Sequence, residues 1–298
     1  MTLRGLLLVL IAGLGAFLHA QGMSDNYVEK RAEEKFSKPH GFSLDWDLYA
    51  HVGFFEQQQR VRSAGIGSDR ISFTDDLDGA PIGVTGGTDL RLRFSWHDSI
   101  QISFNPYFWR AFKDDLDDFK RWNGIIYPPN TDIDYAADLY EFSVLYRRDL
   151  FRLGLSKSFT FFAKAGLEYA YIRTQVGSDT FTVDDDRDVE VFRELLPWYS
   201  VGLGAEIEIG QSIRLTAEAR GTYFAGFPTF QERDSSDMKQ SVTSLHGIFT
   251  FEWNITDWFA LVARARFHYL KVRLYGGFRQ DNFLFYTYGP DIGFGLRF

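Results

Sequence analysis

From residue 42 to residue 54 the chain alternates without a break: Phe42, Leu44, Trp46, Leu48, Ala50, Val52 and Phe54 on one face, Ser43, Asp45, Asp47, Tyr49 and His51 on the other. A period of two is the period of a β-strand, and a strand patterned this way has one apolar and one polar face. The pattern returns at 89–96, where Leu90, Leu92, Phe94 and Trp96 oppose Asp89, Arg91, Arg93 and Ser95. It returns at 100–108, where Ile102, Phe104 and Phe108 oppose Gln101, Ser103, Asn105 and Tyr107. Residues 135–146, 159–171, 198–209, 213–223, 245–253, 259–269 and 283–298 bring the series to ten. Each segment has roughly the 9 to 11 residues that carry a tilted strand across a bilayer.

The connectors alternate as well. Residues 97–99 (His97, Asp98, Ser99), 210–212 (Gly210, Gln211, Ser212) and 254–258 read as tight turns, whereas 56–86, 113–133, 175–194 and 226–240 are long and polar. Short periplasmic turns alternating with long external loops are the layout of an outer-membrane barrel. Residues 147–157 are too long for a minimal turn and are expected either to extend both neighbouring strands or to form a small plug. An open sheet in hydrocarbon would leave edge N–H and C=O groups without partners, so the predicted sheet has to close on itself. The expected fold is all-β: a closed antiparallel transmembrane β-barrel of about ten strands, with eight or twelve as the alternative counts.

The first twenty residues have a positive start at Arg4, an apolar run over 5–18 and a small residue, Ala20, where a peptidase can cut. This is the pattern of a cleaved secretory signal peptide. A membrane helix is the competing reading, but the run lies near the short limit of about 17 residues and is interrupted by Gly. Residues 21–40, with Glu29, Lys30, Arg31, Glu33, Glu34 and Lys35 close together, are expected to be a short periplasmic lead, leaving 41–298 for the barrel. No later window has the apolar length of a spanning helix, and the chain has no Cys, which excludes both a lipidated cysteine anchor and disulfides. Aromatics at 17% beside charged residues at 24% suit a wall that is apolar outside and polar inside. A net charge of -8 opposes nucleic acid as a partner, because phosphates need a basic surface.

Trp46, Trp96, Trp253 and Trp258 fall near predicted strand ends, where an aromatic girdle would meet lipid headgroups. A soluble β-sandwich or ligand-binding barrel would instead bury its apolar face. The final residues Ile292, Phe294, Leu296 and Phe298 alternate with Gly293, Gly295 and Arg297 and end on Phe. That ending resembles the signal by which the barrel-assembly machinery recognises outer-membrane proteins.

The inward positions are heavily charged: Asp45, Asp47, Arg91, Arg93, Lys164, Glu168, Glu206, Glu208, Arg214, Glu218, Arg220, Glu252, Arg264 and Arg266. A bore of about ten strands is barely wider than one filled by side chains, so these groups are expected to pair across it as a plug. A narrow polar channel is the alternative. A hydrolase on such a barrel, as in the omptin proteases, needs carboxylates and an Asp–His pair at the outer rim. Of the mature histidines His40, His51, His97, His246 and His268, none stands in a D-x-H pair. His97 falls in a predicted turn, and His51, His246 and His268 are predicted to face the lumen, His246 near Arg264 and Arg266. No strand carries an outward His that would serve a lipid A deacylase arrangement. Acidic clusters at Asp75, Asp76 and Asp78, at Asp114, Asp115, Asp117 and Asp118, and at Asp184, Asp185, Asp186 and Asp188 fall in external loops. Clustered carboxylates can hold Ca²⁺ or Mg²⁺ or bridge such ions to lipopolysaccharide phosphates. None has the full calcium-loop spacing, and solvated surface charge is the simpler reading.

The stretches Ile71-Ser72-Phe73-Thr74-Asp75-Asp76-Leu77, Asn123-Gly124-Ile125-Ile126-Tyr127-Pro128 and Asp138-Leu139-Tyr140-Glu141-Phe142 resemble those of a broad group of uncharacterised outer-membrane β-barrel proteins. The resemblance spans most of the mature chain and implies the small-barrel fold and an outer-membrane location, with no catalytic residues to carry over. The expected role is a non-enzymatic integral outer-membrane protein of a Gram-negative bacterium, structural or surface-binding through its loops, residues 56–86 and 175–194 first. The alternatives are a narrow pore for small polar solutes and an omptin-like or lipid-modifying hydrolase using His51 or His268. No catalytic residue and no cofactor is assigned; outer-membrane lipid, lipopolysaccharide and the assembly machinery are the expected partners.

Overall fold

The computed structural model describes residues 42–62, 69, 71–95, 97–122, 125–153, 159–178, 188–210, 212–228, 239–276 and 279–298. The expected signal peptide, the 21–40 lead, His40 and Trp96 lie outside the described residues. Among the described residues there is no helix, and the strands in chain order are β1 (Ser43–Arg62), β2 (Ile71–Ser72), β3 (Ile82–Arg93), β4 (Asp98–Lys113), β5 (Lys120–Trp122), β6 (Ile125–Tyr127), β7 (Ile133–Leu153), β8 (Phe159–Ser178), β9 (Asp188–Ile209), β10 (Ile213–Pro228), β11 (Lys239–Asn254), β12 (Phe259–Gly276) and β13 (Arg279–Arg297).

An eleven-stranded sheet runs β13-β12-β11-β10-β9-β8-β7-β4-β3-β1-β2, and β13 also pairs with β1. Setting aside the two-residue β2, ten long antiparallel strands form a ring. Leu44 N donates to Phe298 O at 3.0 Å and Phe298 N to Leu44 O at 2.9 Å, so the first and last strands are stitched together to the end. Closure removes the exposed edge that an open sheet would present to hydrocarbon. Each of the ten predicted segments falls on one of these ten strands.

The strands run well past the predicted segments, reaching 22 residues in β9. The extension lies at the loop end, where β1 reads Gln57, Gln58, Gln59 and is polar on both faces. Of the irregular connector after β7, the first part extends that strand, which continues to Leu153 through a bulge at Asp149/Phe151; β8 starts at Phe159 as expected, and residues 154–158 lie outside the described residues. The turn expected at residues 97–99 sits slightly earlier, because Asp98 and Ser99 already pair with Arg148 and Arg147. Its bend is fixed by Ser95 Oγ, which donates to Asp98 Oδ2 at 2.6 Å. In the long loops, β2 lies beside β1 at Gln58↔Ser72 and Gln59↔Ile71, and β5 and β6 form a separate hairpin.

Outside, alternate residues of every barrel strand present Val, Leu, Ile, Phe and Tyr to the surroundings. Trp46, Trp253 and Trp258 are all exposed toward the turn end as expected of a girdle, and Trp46 Nε1 donates to Thr88 Oγ1 at 2.8 Å. The loop-side belt is built mainly from Phe and Tyr, with Phe54 stacked on Tyr288 at 5.0 Å and Phe104 stacked on Tyr140 at 6.4 Å. Inside, the predicted inward residues do face the bore, and the turn end is ionic while the loop end is aromatic.

Candidate functional site: the filled barrel interior

At the turn end the strand register delivers acids from β1 and β3 opposite arginines from β12 and β13. Arg264 places Nη1 2.5 Å from Asp89 Oδ2 and Nη2 2.5 Å from Asp47 Oδ2, bridging three strands with both arms of its fork. Its guanidinium also lies 4.4 Å above the Tyr49 ring. Arg297 joins Asp47 at 2.8 Å and Glu252 at 3.0 Å, and Arg214 reaches Glu252 at 3.3 Å. On the other wall Arg147, only 2% exposed, holds Asp149 and Glu206, each at 2.9 Å, with its guanidinium 3.8 Å over the Phe162 ring. Lys164 pairs with Glu218 and donates to Gln101 at 2.7 Å. Low dielectric makes each of these pairs strong and each missing partner costly, so the network is held as a unit.

One level higher lie the three lumen histidines. His51 is 1% exposed, with Nδ1 2.5 Å from Asp291 Oδ1 and Nε2 2.9 Å from Thr287 Oγ1. Arg266 donates to the other Asp291 oxygen at 2.8 Å and to Asn105 at 2.8 Å. A hydroxyl, an imidazole and a carboxylate in line are the parts of a nucleophilic triad. Here the hydroxyl of Thr287 is sealed inside the wall, where no substrate meets it. What the arrangement does is mechanical: His51 and Asp291 are direct cross-strand partners of β1 and β13, so their bond laces the seam at which the barrel closes.

His246 was expected beside Arg264 and Arg266. It instead pairs across the strands with His268, the two rings stacked at 3.9 Å, while Arg266 turns toward Asp291. Glu168 lies 3.6 Å from His246 Nε2, 2.9 Å from Arg220 Nε and accepts from Trp198 Nε1 at 2.8 Å; Glu141 lies 3.2 Å from His268 Nε2. A cavity of about 10 Å³ between Glu141, Glu168, Trp198 and His246, and one of about 30 Å³ in the ionic tier, are each no larger than a water or two.

The mouth is closed by apolar side chains that the sequence placed in polar loops. Ile71, Phe73, Leu77, Leu116 and Tyr127 turn inward and pack on Phe55, Trp109, Tyr135, Phe283 and Phe285 of the wall. Burial among these groups pushes the Tyr127 phenol up to about 12. Glu56 accepts the Ser72 hydroxyl at 2.8 Å and also the Thr74 hydroxyl, and Asp76 accepts Ser72 N at 2.7 Å, pinning the first loop to β1.

Asp76, Asp78 and Asp117 behave as loop fasteners. Asp76 is 2.8 Å from Lys120 Nζ and Asp78 is 2.7 Å from Lys113 Nζ, so the first long loop is tied to the second strand pair beside it. Asp117 shares Lys113 at 3.5 Å. The hydrogen bond that Lys120 donates to Asp76 holds its ammonium above its ordinary value. Among the described residues no three His, Cys, Asp or Glu side chains are placed to hold a metal ion. Asp184, Asp185 and Asp186 lie outside the described residues, and Asp188 begins β9.

No family model matches the sequence, nor does any curated protein. Among solved structures the chain is similar to the outer membrane protease OmpT of Escherichia coli, at 8% identity and a TM-score of 0.49 over 88% of this chain and 100% of that one. It is similar to the outer membrane protein OprG of Pseudomonas aeruginosa, at 11% identity and 0.35 over 86% and 96%. The translocator domain of the autotransporter NalP of Neisseria meningitidis is similar at 11% identity and 0.35 over 96% and 98%.

Proposed function

We propose that this protein is an integral outer-membrane β-barrel of a Gram-negative bacterium, exported by a cleaved signal peptide, with a non-enzymatic structural or surface-binding role exercised through its external loops. The observation that supports the reading most directly is the filled interior: arginine forks span the bore at one end and loop side chains stop it at the other. A closed bore disfavours solute flow, and a sealed Thr287 disfavours hydrolysis by the His51 group. Binding on such a scaffold resides in loops held by a rigid wall, so residues 56–86 and 175–194 are the first candidates. Outer-membrane lipid, lipopolysaccharide and, during insertion, the barrel-assembly machinery are the proposed partners.

Two measurements test it. The purified protein, refolded into lipid vesicles without detergent, is expected to insert, and in a planar bilayer to give no current above the lipid baseline. Stable unitary currents would replace this proposal with the pore. Exchanging the segments between β1 and β3 and between β8 and β9 for short turns is expected to abolish cell-surface binding while leaving the barrel folded; intact surface binding would show that the contacts lie elsewhere.

A further inference from the structure

The outer wall carries one feature that filling the bore does not explain. Above the aromatic belt, on β1 and β12, the two strands that flank β13, Arg60 of β1 and Lys271 and Arg273 of β12 point outward. Their level follows from register: Arg273 is opposite Asn282 of β13, Asn282 is opposite Arg60, and Lys271 is opposite Leu284. Immediately below them Tyr269 faces Tyr286, and Phe267 faces Tyr288, which stacks on Phe54. Arg273 is exposed and Lys271 half-buried, and neither makes an ion pair or hydrogen bond among the described residues. The outward neighbours on the adjoining strands are Ser241, Thr243 and Gln58, all uncharged. Two carboxylates, Glu56 and Asp75, lie near Tyr286 below the cations; Glu56 accepts the hydroxyls of Ser72 and Thr74 and keeps its charge.

Two to four residues above Tyr269, along a strand tilted near 40°, is about 5 to 10 Å of height. Aromatic belts sit at the headgroup boundary, so these cations lie at the depth of lipid phosphates. A cationic patch on a chain of net charge -8 is matched to an anionic ligand. Arg60 already has an interaction of its own. We infer that Lys271 and Arg273 form a site on the β12–β13–β1 wall for the phosphate groups of a phosphorylated outer-leaflet lipid, whose acyl chains lie against Phe267, Tyr288 and Phe54. This inference rests on the outer-membrane placement proposed above.

The test is native mass spectrometry of the full barrel in detergent, titrated with a bisphosphorylated glycolipid, its dephosphorylated form, or inorganic phosphate. The wild type is expected to retain the bisphosphorylated lipid, and Lys271→Ser with Arg273→Ser to bind it about thirtyfold more weakly. Arg110→Ser on another wall is expected to bind as the wild type does. Unchanged binding in the double variant, equal retention of the dephosphorylated lipid, or displacement by an equal concentration of inorganic phosphate each overturns the inference. Retention of the heat-sensitive folded band on gels shows that the variant is folded. Failure of the wild type to insert into vesicles would sink the membrane placement itself, a result separable from loss of phosphate selectivity with insertion intact.

Discussion

Replacing Arg264 with Met keeps an unbranched stem and removes the guanidinium with its charge from the ionic tier. Asp47 and Asp89, which the guanidinium bridges at 2.5 Å each, are then left facing one another without their shared cation. Two charge-assisted hydrogen bonds at about 1.5 to 3 kcal/mol each set the loss near 3 to 6 kcal/mol. Breaking a buried pair from one side independently suggests about 3 to 5 kcal/mol. Asp47 keeps its 2.8 Å contact to Arg297, so the lower half of that range is expected. Reversible urea unfolding in phospholipid vesicles, followed by tryptophan fluorescence, measures it. The triple variant Arg264→Met, Asp47→Asn, Asp89→Asn should recover most of the loss, because no unpaired charge remains. A single variant within about 1 kcal/mol of wild type, or a triple variant no better than the single, would refute the claim that the arginine fork holds the walls together.

Phe285 is fully buried, its ring 4.9 Å from Trp109 and 5.3 Å from Tyr107, so Phe285→Ala should cost about 3 to 5 kcal/mol in the same unfolding assay. Gly293 on β13 leaves no space for a side chain, since an added Cβ would sit 2.0 Å from the Leu48 carbonyl oxygen across the closing seam. Gly293→Ala is therefore expected to lower the yield of heat-modifiable folded barrel, and an unchanged yield would show that the seam can open to admit it. Lys120 has its ammonium raised by Asp76, so the link contributes fully below the unfolded lysine value and is lost only as pH rises through the higher folded one. A spin label at the exposed Phe119 should report a constant, restrained loop from pH 6 to 9 and release only above about 10.5; release near neutral pH would assign the restraint to another group.

The wall was legible because its two faces differ in kind. Phe42 to His51 declare both the strand and its inner side, and one slip of register would have exchanged them. The upward extension was not legible, because Gln57, Gln58 and Gln59 give neither face a marker. The plug in the mouth was hidden for the opposite reason: Ile71, Phe73 and Leu77 are isolated apolar residues in a polar loop, and only the tertiary fold shows the cavity they fill. Pairings were the least legible. His51 and Asp291 lie 240 positions apart and meet only because the sheet closes. Asp76 and Asp78 read most simply as solvated surface charge, and only the fold shows the lysines of the next loop segment beside them. The inward list of charges held, since it required only the period of two; the partner of each charge required the register.

The length of the strands has a mechanical consequence. A 20-residue strand such as β8, tilted near 40°, rises about 50 Å, whereas the hydrocarbon-facing band needs about 25 Å. The remaining half stands clear of the bilayer as a rigid pedestal, braced internally by Phe283, Phe285 and Trp109. Whatever meets this molecule from outside would then encounter its rim at a height set by β-sheet geometry.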